Sequence, residues 1–152
     1  MTETQASDDR DALIDREALE SYLTEHLGPT ETVSIGKITE GHSNETFNIQ
    51  WGDRHLVMRR PPAGETSEKA HDVLREYAIL DALQGTDVPV PRTVLGCEDE
   101  AVLGCDFYVM EKVEGRVIRG EEPDDFATPA RRRRLGKQII DVLADIHLVN
   151  VD

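Results

Sequence analysis

Two residues of opposite charge, Arg59 and Glu76, stand where a cation could be held toward a phosphate group. Arg59 ends a predicted strand, and Glu76 lies in the middle of the helix predicted to follow. A carboxylate on a covering helix would hold such a cation in place, and a guanidinium suits phosphate oxygens. Strand alternation does not choose between Arg59 and Arg60, because a sheet covered on both faces accepts either. Two ordinary surface charges are the alternative interpretation.

A second candidate is the segment Glu40–Phe47, which lies between two predicted strands and reads EGHSNETF. Glycine and small polar residues at a hairpin tip let backbone N–H groups and hydroxyls approach phosphate oxygens closely. The segment has one glycine rather than three, so taken alone it is more often an ordinary hairpin turn.

The third candidate is the apolar strand that begins at Phe107 and runs into Met110–Gly115. At the point where such a strand leaves its sheet, its backbone N–H and C=O groups can meet a planar base. As a pattern alone it is a buried strand followed by a turn.

Apolar periodicity and turn signals indicate the elements that must position these residues. Helices are predicted over 11–27, 67–83 and 129–149, and strands over 33–40, 45–51, 54–60, 107–113 and 116–118. Short apolar stretches lie at 94–95 and 101–103. The order predicts an α+β fold, in which an antiparallel sheet carries its helices on one side.

Charge and composition narrow the functional classes. The 152 residues carry a formal net charge of −14, which argues against nucleic acid or an anionic membrane as a partner. No signal-like segment opens the chain, so a cytoplasmic location is expected. Acids spread along the whole chain, with 13 Arg against 4 Lys, favour a halophilic protein over an ordinary acidic one. Cys97 and Cys105 are expected to be free thiols, with a cross-strand disulfide as the alternative.

The order and spacing of the segments resemble the N-terminal lobe of a kinase-like fold. The resemblance is closest to the aminoglycoside phosphotransferase family, in the branch related to kinase-like domains attached to some acyl-CoA dehydrogenases. The matching segments cover most of residues 30–120 and are Glu40–Phe47, Leu56–Pro62, His71–Tyr77, Val88–Pro91 and Phe107–Gly115.

The resemblance implies ATP as the cofactor and gives each segment a role. The loop Gly41–Thr46 would lie over the phosphates, and Arg59 would stand where kinases usually carry Lys, with Glu76 as its partner. Met110 would be the gatekeeper and Glu111–Val113 the hinge beside adenine. The implied ATP-binding residues are Gly41, His42, Ser43, Asn44, Thr46, Arg59, Glu76, Met110, Glu111 and Val113.

The same resemblance implies a second lobe with a His-Gly-Asp…Asn segment and a later Asp, which supply the proton acceptor and the magnesium ligands. No His-Gly-Asp follows Gly115, and Asp145 and His147 lie inside a predicted helix. We therefore expect no catalytic or metal-binding residue in this chain, magnesium only together with a second lobe, and no useful activity alone. The acceptor substrate is not predicted.

The expected organisation follows from that comparison. Residues 1–29 are a helical segment, 30–120 a kinase-like lobe, and 121–152 a linker with the first helix of an incomplete second lobe. The alternatives are a non-catalytic nucleotide-binding or interaction module that pairs with a separate second-lobe protein, and a degenerate remnant. An apolar stripe on the last helix favours self-association or such a partner, and its residues are Leu135, Ile139, Val142, Leu143 and Ile146.

Overall fold

The computed structural model describes residues 14–38, 44–62, 72–118, 120 and 122–150. They fall into two compact units. The first contains the residues up to Ala82 together with Pro91–Lys112, and the second contains Leu83–Val90 and the residues from Val113 onward. The tip of the predicted phosphate loop, residues 41–43, lies outside the described residues.

The first unit is a five-stranded antiparallel sheet with three helices. The strands run in the order β1-β2-β3-β5-β4. The elements in chain order are α1 (Arg16–Leu27), β1 (Val33–Ile38), β2 (Glu45–Trp51), β3 (Arg54–Arg60), α2 (Val73–Ala82), β4 (Thr93–Cys97), α3 (Glu100–Leu103) and β5 (Phe107–Glu111). The predicted α+β class and the β1-β2-β3 meander are confirmed.

The helices cover both faces of the sheet, so the prediction that they share one side is wrong. Leu19 and Leu23 of α1 are fully buried in a cluster with the inward residues of the strands, such as Met58. On the other face, α2 sets the ring of Tyr77 against Gly96 of β4. A Cβ on Gly96 would stand 3.2 Å from the Tyr77 ring, so glycine permits this close approach.

Capping aspartates decide where two helices begin, later than the apolar pattern indicated. Asp15 Oδ1 accepts a hydrogen bond from Ala18 N at 3.0 Å, and α1 starts at Arg16 rather than at residue 11. Asp72 Oδ1 accepts from Arg75 N at 2.8 Å, and α2 starts at Val73 rather than at residue 67. Asp and Asn side chains at such positions satisfy otherwise unpaired N–H groups of the first turn.

The apolar stretch 101–103, to which the sequence pattern assigned no element, belongs to the single helical turn α3, which is followed by Gly104 with a left-handed φ of +74°. Two predictions about strands are wrong. Strand β5 ends at Glu111 rather than at residue 113, and residues 116–118 form no strand. Cys97 and Cys105 are both free thiols, as the first of the two alternatives proposed.

The second unit contains one long helix, α4 (Pro129–Leu148), capped by Thr128. Ahead of it, Glu122 accepts hydrogen bonds from the Arg132 guanidinium, which holds the pKa of that carboxyl below its usual value. The predicted apolar stripe is exposed at Ile139, Leu143 and Ile146. Among the described residues, none of the helices is both long and apolar enough to cross a membrane.

Candidate functional site

The two faces of the sheet carry different chemistry because neighbouring residues of a strand point to opposite sides. One face is the apolar core under α1. The other, which we call the α2 face, carries a row of paired positions formed by Thr46 on β2, Arg59 on β3 and Tyr108 on β5. The adjacent row on this face includes Val57 and Met110.

Arg59 and Glu76 form the ion pair that the sequence proposed. Arg59 Nη1 lies 3.0 Å from Glu76 Oε2, and the two side chains keep 28% and 37% of their surface exposed. The Arg59 Nε atom is buried without a hydrogen-bond partner. The guanidinium is thus fixed by a carboxylate on one side while part of it stays accessible to a ligand.

Glu76 is held by two further donors. Asn44 Nδ2 donates to Glu76 Oε1 at 2.9 Å, and the Tyr108 hydroxyl donates to Glu76 Oε2 at 3.2 Å. Asn44 immediately precedes β2, whereas Tyr108 belongs to β5. One carboxylate on α2 therefore joins the end of the β1-β2 hairpin, the end of β3 and the middle of the sheet.

Tyr108 is the residue that sequence reasoning missed. Its side chain is almost completely buried, and desolvation is the main reason that its pKa rises to about 12. The Glu76 carboxylate raises this pKa further, while the Arg59 cation lowers it. The alternation of β5 could have placed Tyr108 and Met110 on one face, but the pairing of β5 with β3 is not visible locally.

Arg60 lies on the opposite face from Arg59, which settles the choice that alternation left open. Its Nε is 3.2 Å from Glu45 Oε2, and Glu45 Oε1 is 2.6 Å from Lys37 Nζ. The Arg60 side chain is only 7% exposed and that of Glu45 only 13%. This cluster sits beside the apolar core, and Arg59, not Arg60, is the partner of Glu76.

The end of β5 places Met110 and Glu111 at the edge of the first unit. The backbone N–H of Glu111 donates to the Arg92 carbonyl at 2.8 Å, and that of Lys112 donates to the His55 carbonyl at 2.9 Å. Two of the amides in the predicted hinge are therefore engaged within the protein. Val113, the third predicted hinge residue, begins the second segment of the second unit, and its side chain is exposed.

Of the ten residues implied to bind ATP, the structure brings Asn44, Arg59 and Glu76 into one network, with Thr46 paired opposite Arg59. Gly41, His42 and Ser43 lie outside the described residues. Over the ranges that the structure does describe, no three His, Cys, Asp or Glu side chains group closely enough to hold a metal ion.

Comparison with known proteins assigns the family. A family model described as the phosphotransferase enzyme family matches residues 34–152. The chain belongs to this phosphotransferase family. The match begins in β1 and takes in the Asn44–Glu76–Arg59 network.

Curated relatives of this phosphotransferase-family chain are much longer proteins. Acyl-CoA dehydrogenase family member 11 of Pongo abelii is 37% identical over 142 residues, which make up 90% of this chain and 18% of that protein. Acyl-CoA dehydrogenase family member 10 of Mus musculus is 35% identical over 140 residues, 91% of this chain and 13% of that protein. The chain spans less than a fifth of the length of these relatives.

A solved structure confirms the fold. The crystal structure of a candidate aminoglycoside phosphotransferase from Ralstonia eutropha JMP134 aligns with a TM-score of 0.74 at 37% sequence identity. The alignment covers 90% of this chain and 39% of that one. The expected resemblance to a kinase-like N-terminal lobe of the aminoglycoside phosphotransferase family is thus confirmed.

Proposed function

We propose that this chain is the nucleotide-binding lobe of an ATP-dependent phosphotransferase that acts on a small molecule. The observation that supports this most directly is the Arg59–Glu76 pair on the α2 face, next to the start of β2. A guanidinium oriented by a carboxylate is a strong donor group for phosphate oxygens. Membership in the phosphotransferase family supports the same reaction class.

The residues on this face fit a nucleotide phosphate. The Arg59 Nε–H is a buried donor without a partner, and part of the guanidinium remains exposed. The exposed part of the guanidinium can donate charge-assisted hydrogen bonds to a phosphate oxygen. Kinase-like phosphotransferases generally use ATP with magnesium, and the sheet and its loop would supply the contacts to the phosphates.

The remaining roles follow the resemblance. The loop from Gly41 to Thr46 would cover the phosphates, and Met110 would border the adenine as gatekeeper. Because the amides of Glu111 and Lys112 already donate to carbonyls of the protein, adenine contacts at the hinge would fall to other backbone groups. Carbonyl oxygens of the hinge are suited to accept from the exocyclic amine of adenine.

We propose that phosphoryl transfer needs residues of a second lobe. The catalytic Asp and the magnesium ligands implied by the resemblance have no counterpart in the sequence. Positioning and charge stabilisation by the metal supply most of the catalysis in phosphoryl transfer. These 152 residues alone would therefore bind nucleotide without transferring phosphate at a useful rate, and the acceptor would be recognised elsewhere.

The exposed face of α4 is the proposed attachment surface for that second lobe, with self-association as the competing occupant. Ile139 is 61% exposed, and Leu143 and Ile146 are about as accessible. Light scattering after size exclusion would give the mass of the wild type and of Leu143→Ser. A dimer that the substitution dissociates would identify self-association, and a monomer in both would favour a partner.

The composition motivates a further proposal about the cellular location of the protein and the salt concentration in which it works. With a charge of −14 spread over the chain, we propose a cytoplasmic protein adapted to high salt, where screening removes self-repulsion. Thermal melts in low and molar KCl test this, and equal stability in the two would contradict it.

Calorimetric titration with ATP tests the proposed function. Arg59→Ala should weaken ATP binding at least tenfold, about 1.4 kcal/mol, because it removes a charge-assisted contact to phosphate. Arg75→Ala is the matched control, since it deletes the same charge from an exposed position beside Glu76 on α2. Absence of binding by the wild type, or equal losses in both variants, would refute the proposal.

A further inference from the structure

The Tyr108 hydroxyl and the Arg59 guanidinium meet at one atom, Glu76 Oε2. The hydroxyl lies 3.2 Å from this oxygen and Arg59 Nη1 lies 3.0 Å from it. Tyr108 is 1% exposed, so its ring cannot leave the sheet without exposing apolar surface, whereas Glu76 and Arg59 both reach solvent. The fixed member of this trio is therefore the tyrosine.

A glutamate that is more than a third exposed has several rotamers available, and most of them would carry its carboxylate away from Arg59. Two hydrogen bonds select the observed rotamer. Asn44 engages Oε1 from the hairpin side, and Tyr108 engages Oε2 from the sheet side. Asn44 precedes β2, whereas Tyr108 lies within β5 and is paired with strands on both sides, so the hydroxyl is the contact that the sheet itself provides.

The hydroxyl is a donor throughout the neutral range. Burial raises the pKa of Tyr108 to about 12, where the Arg59 cation lowers it and the Glu76 carboxylate raises it. A protonated tyrosine donates to the carboxylate and leaves its charge intact, so Glu76 remains a full counter-ion for Arg59.

We propose that Tyr108 is a positioning residue for the phosphate-binding cation: its hydroxyl holds Glu76 Oε2, and Glu76 holds Arg59. This inference rests on the proposed function, because it assumes that Arg59 meets the nucleotide phosphates. It assigns to β5 a part in phosphate binding as well as in the adenine side of the site.

Tyr77 offers a matched comparison within the same fold. It follows Glu76 on α2, and its ring centroid lies 5.9 Å from that of Tyr108. Its ring packs on Gly96, and removal of its hydroxyl leaves the Glu76 contacts in place. Tyr77→Phe and Tyr108→Phe therefore delete the same atom from two neighbouring rings, of which only one holds Glu76.

The test is calorimetric titration of the full chain with ATP and with adenosine. Tyr108→Phe should weaken ATP binding about fivefold, the equivalent of one lost hydrogen bond, and leave adenosine binding unchanged. Tyr77→Phe should bind both ligands as the wild type does. Equal losses for ATP and adenosine would mark Tyr108 as merely structural, and an unchanged ATP affinity would also overturn the proposal.

A ligand-free measurement separates this inference from the proposed function. The Arg59 Nε–H, which is buried in the wild type, should exchange with water faster in Tyr108→Phe when followed by nitrogen-15 NMR. If the wild type binds no ATP, the proposed function fails, and this exchange rate alone judges the Tyr108–Glu76–Arg59 linkage. Faster exchange would support the linkage, and an unchanged rate would overturn it.

Discussion

Arg59 and Arg60 are consecutive residues with the same side chain, yet they belong to two different kinds of charge cluster. Arg60 is 7% exposed and shares the core face with Glu45 and Lys37. Arg59 is 28% exposed and meets Glu76 on the α2 face. A buried cluster in which one carboxylate bridges two cations has a structural role, whereas a partly exposed cation is available to a ligand.

The two clusters also hold the same hairpin from opposite sides. Asn44 bonds to Glu76 on the α2 face, and the next residue, Glu45, bonds to Lys37 and pairs with Arg60 on the core face. The strand alternation that separates Arg59 from Arg60 therefore also separates their partners. The C-terminal end of the connection between β1 and β2 is therefore fixed by both layers of the fold.

The largest expected effect is on the core-face cluster. Glu45→Ala removes the carboxylate that bridges Lys37 and Arg60 and should lower the free energy of unfolding by about 3 kcal/mol. Urea denaturation followed by circular dichroism measures it. Glu98→Ala, at an exposed position after β4, is the control and should stay within about 0.5 kcal/mol of wild type. If Glu45→Ala lowered the free energy of unfolding no more than Glu98→Ala does, the core-face cluster would have no special structural role.

A pair of conservative substitutions sharpens the comparison. Lysine keeps the charge of arginine but lacks its fork. Arg59→Lys should weaken ATP binding about threefold with little change in stability, whereas Arg60→Lys should cost about 1 kcal/mol of stability and spare the affinity. Titration calorimetry gives the ATP affinity of each variant, and denaturation gives its free energy of unfolding. The reverse pattern, affinity lost at residue 60 and stability at residue 59, would contradict the assignment of the two faces.

The smallest expected effect is a titration. Tyr108 has a folded pKa of about 12, above its usual value of 10, so the folded state keeps a proton that the unfolded state releases in between. Its contribution to stability is complete below pH 10 and is lost as the pH rises toward 12. Glu76→Gln should lower this pKa only part of the way, because burial remains its main cause.

Ultraviolet absorbance of the ionised ring follows that titration. Burial also raises the pKa of Tyr22 to about 12, so the measurement is made in a Tyr22→Phe background. An unchanged or higher Tyr108 pKa in Glu76→Gln would show that the hydroxyl does not meet the carboxylate in solution.

Local signals in the sequence predicted the sheet well. Strands β2 and β3 begin and end where alternation and turns placed them, because each has one strongly apolar face. The starts of the helices were less predictable. The capping residues Asp15 and Asp72 set where α1 and α2 begin, and the apolar periodicity of the sequence does not show a cap. The placement of α1 and α2 on opposite faces is a tertiary property that no local pattern contains.

The candidate site was predictable in part for the same reason. Arg59 and Glu76 lie on consecutive elements, β3 and α2, and their pairing follows from a strand and its covering helix. Tyr108 lies 32 residues beyond Glu76, and its contact depends on the pairing of β5 with β3. The pairing of distant strands produces no periodic pattern in the sequence. The structure was therefore needed to place Tyr108 beside Glu76.

The chain contains one tryptophan, Trp51, and its location provides an optical reporter. Its indole Nε1 donates to the Gly28 carbonyl at the end of α1, at 3.1 Å, and the ring is buried on the core face. Its fluorescence should therefore shift to longer wavelength when α1 separates from the sheet, and remain constant when a ligand occupies the α2 face. Emission and calorimetry on one sample would then follow the two faces of the molecule independently.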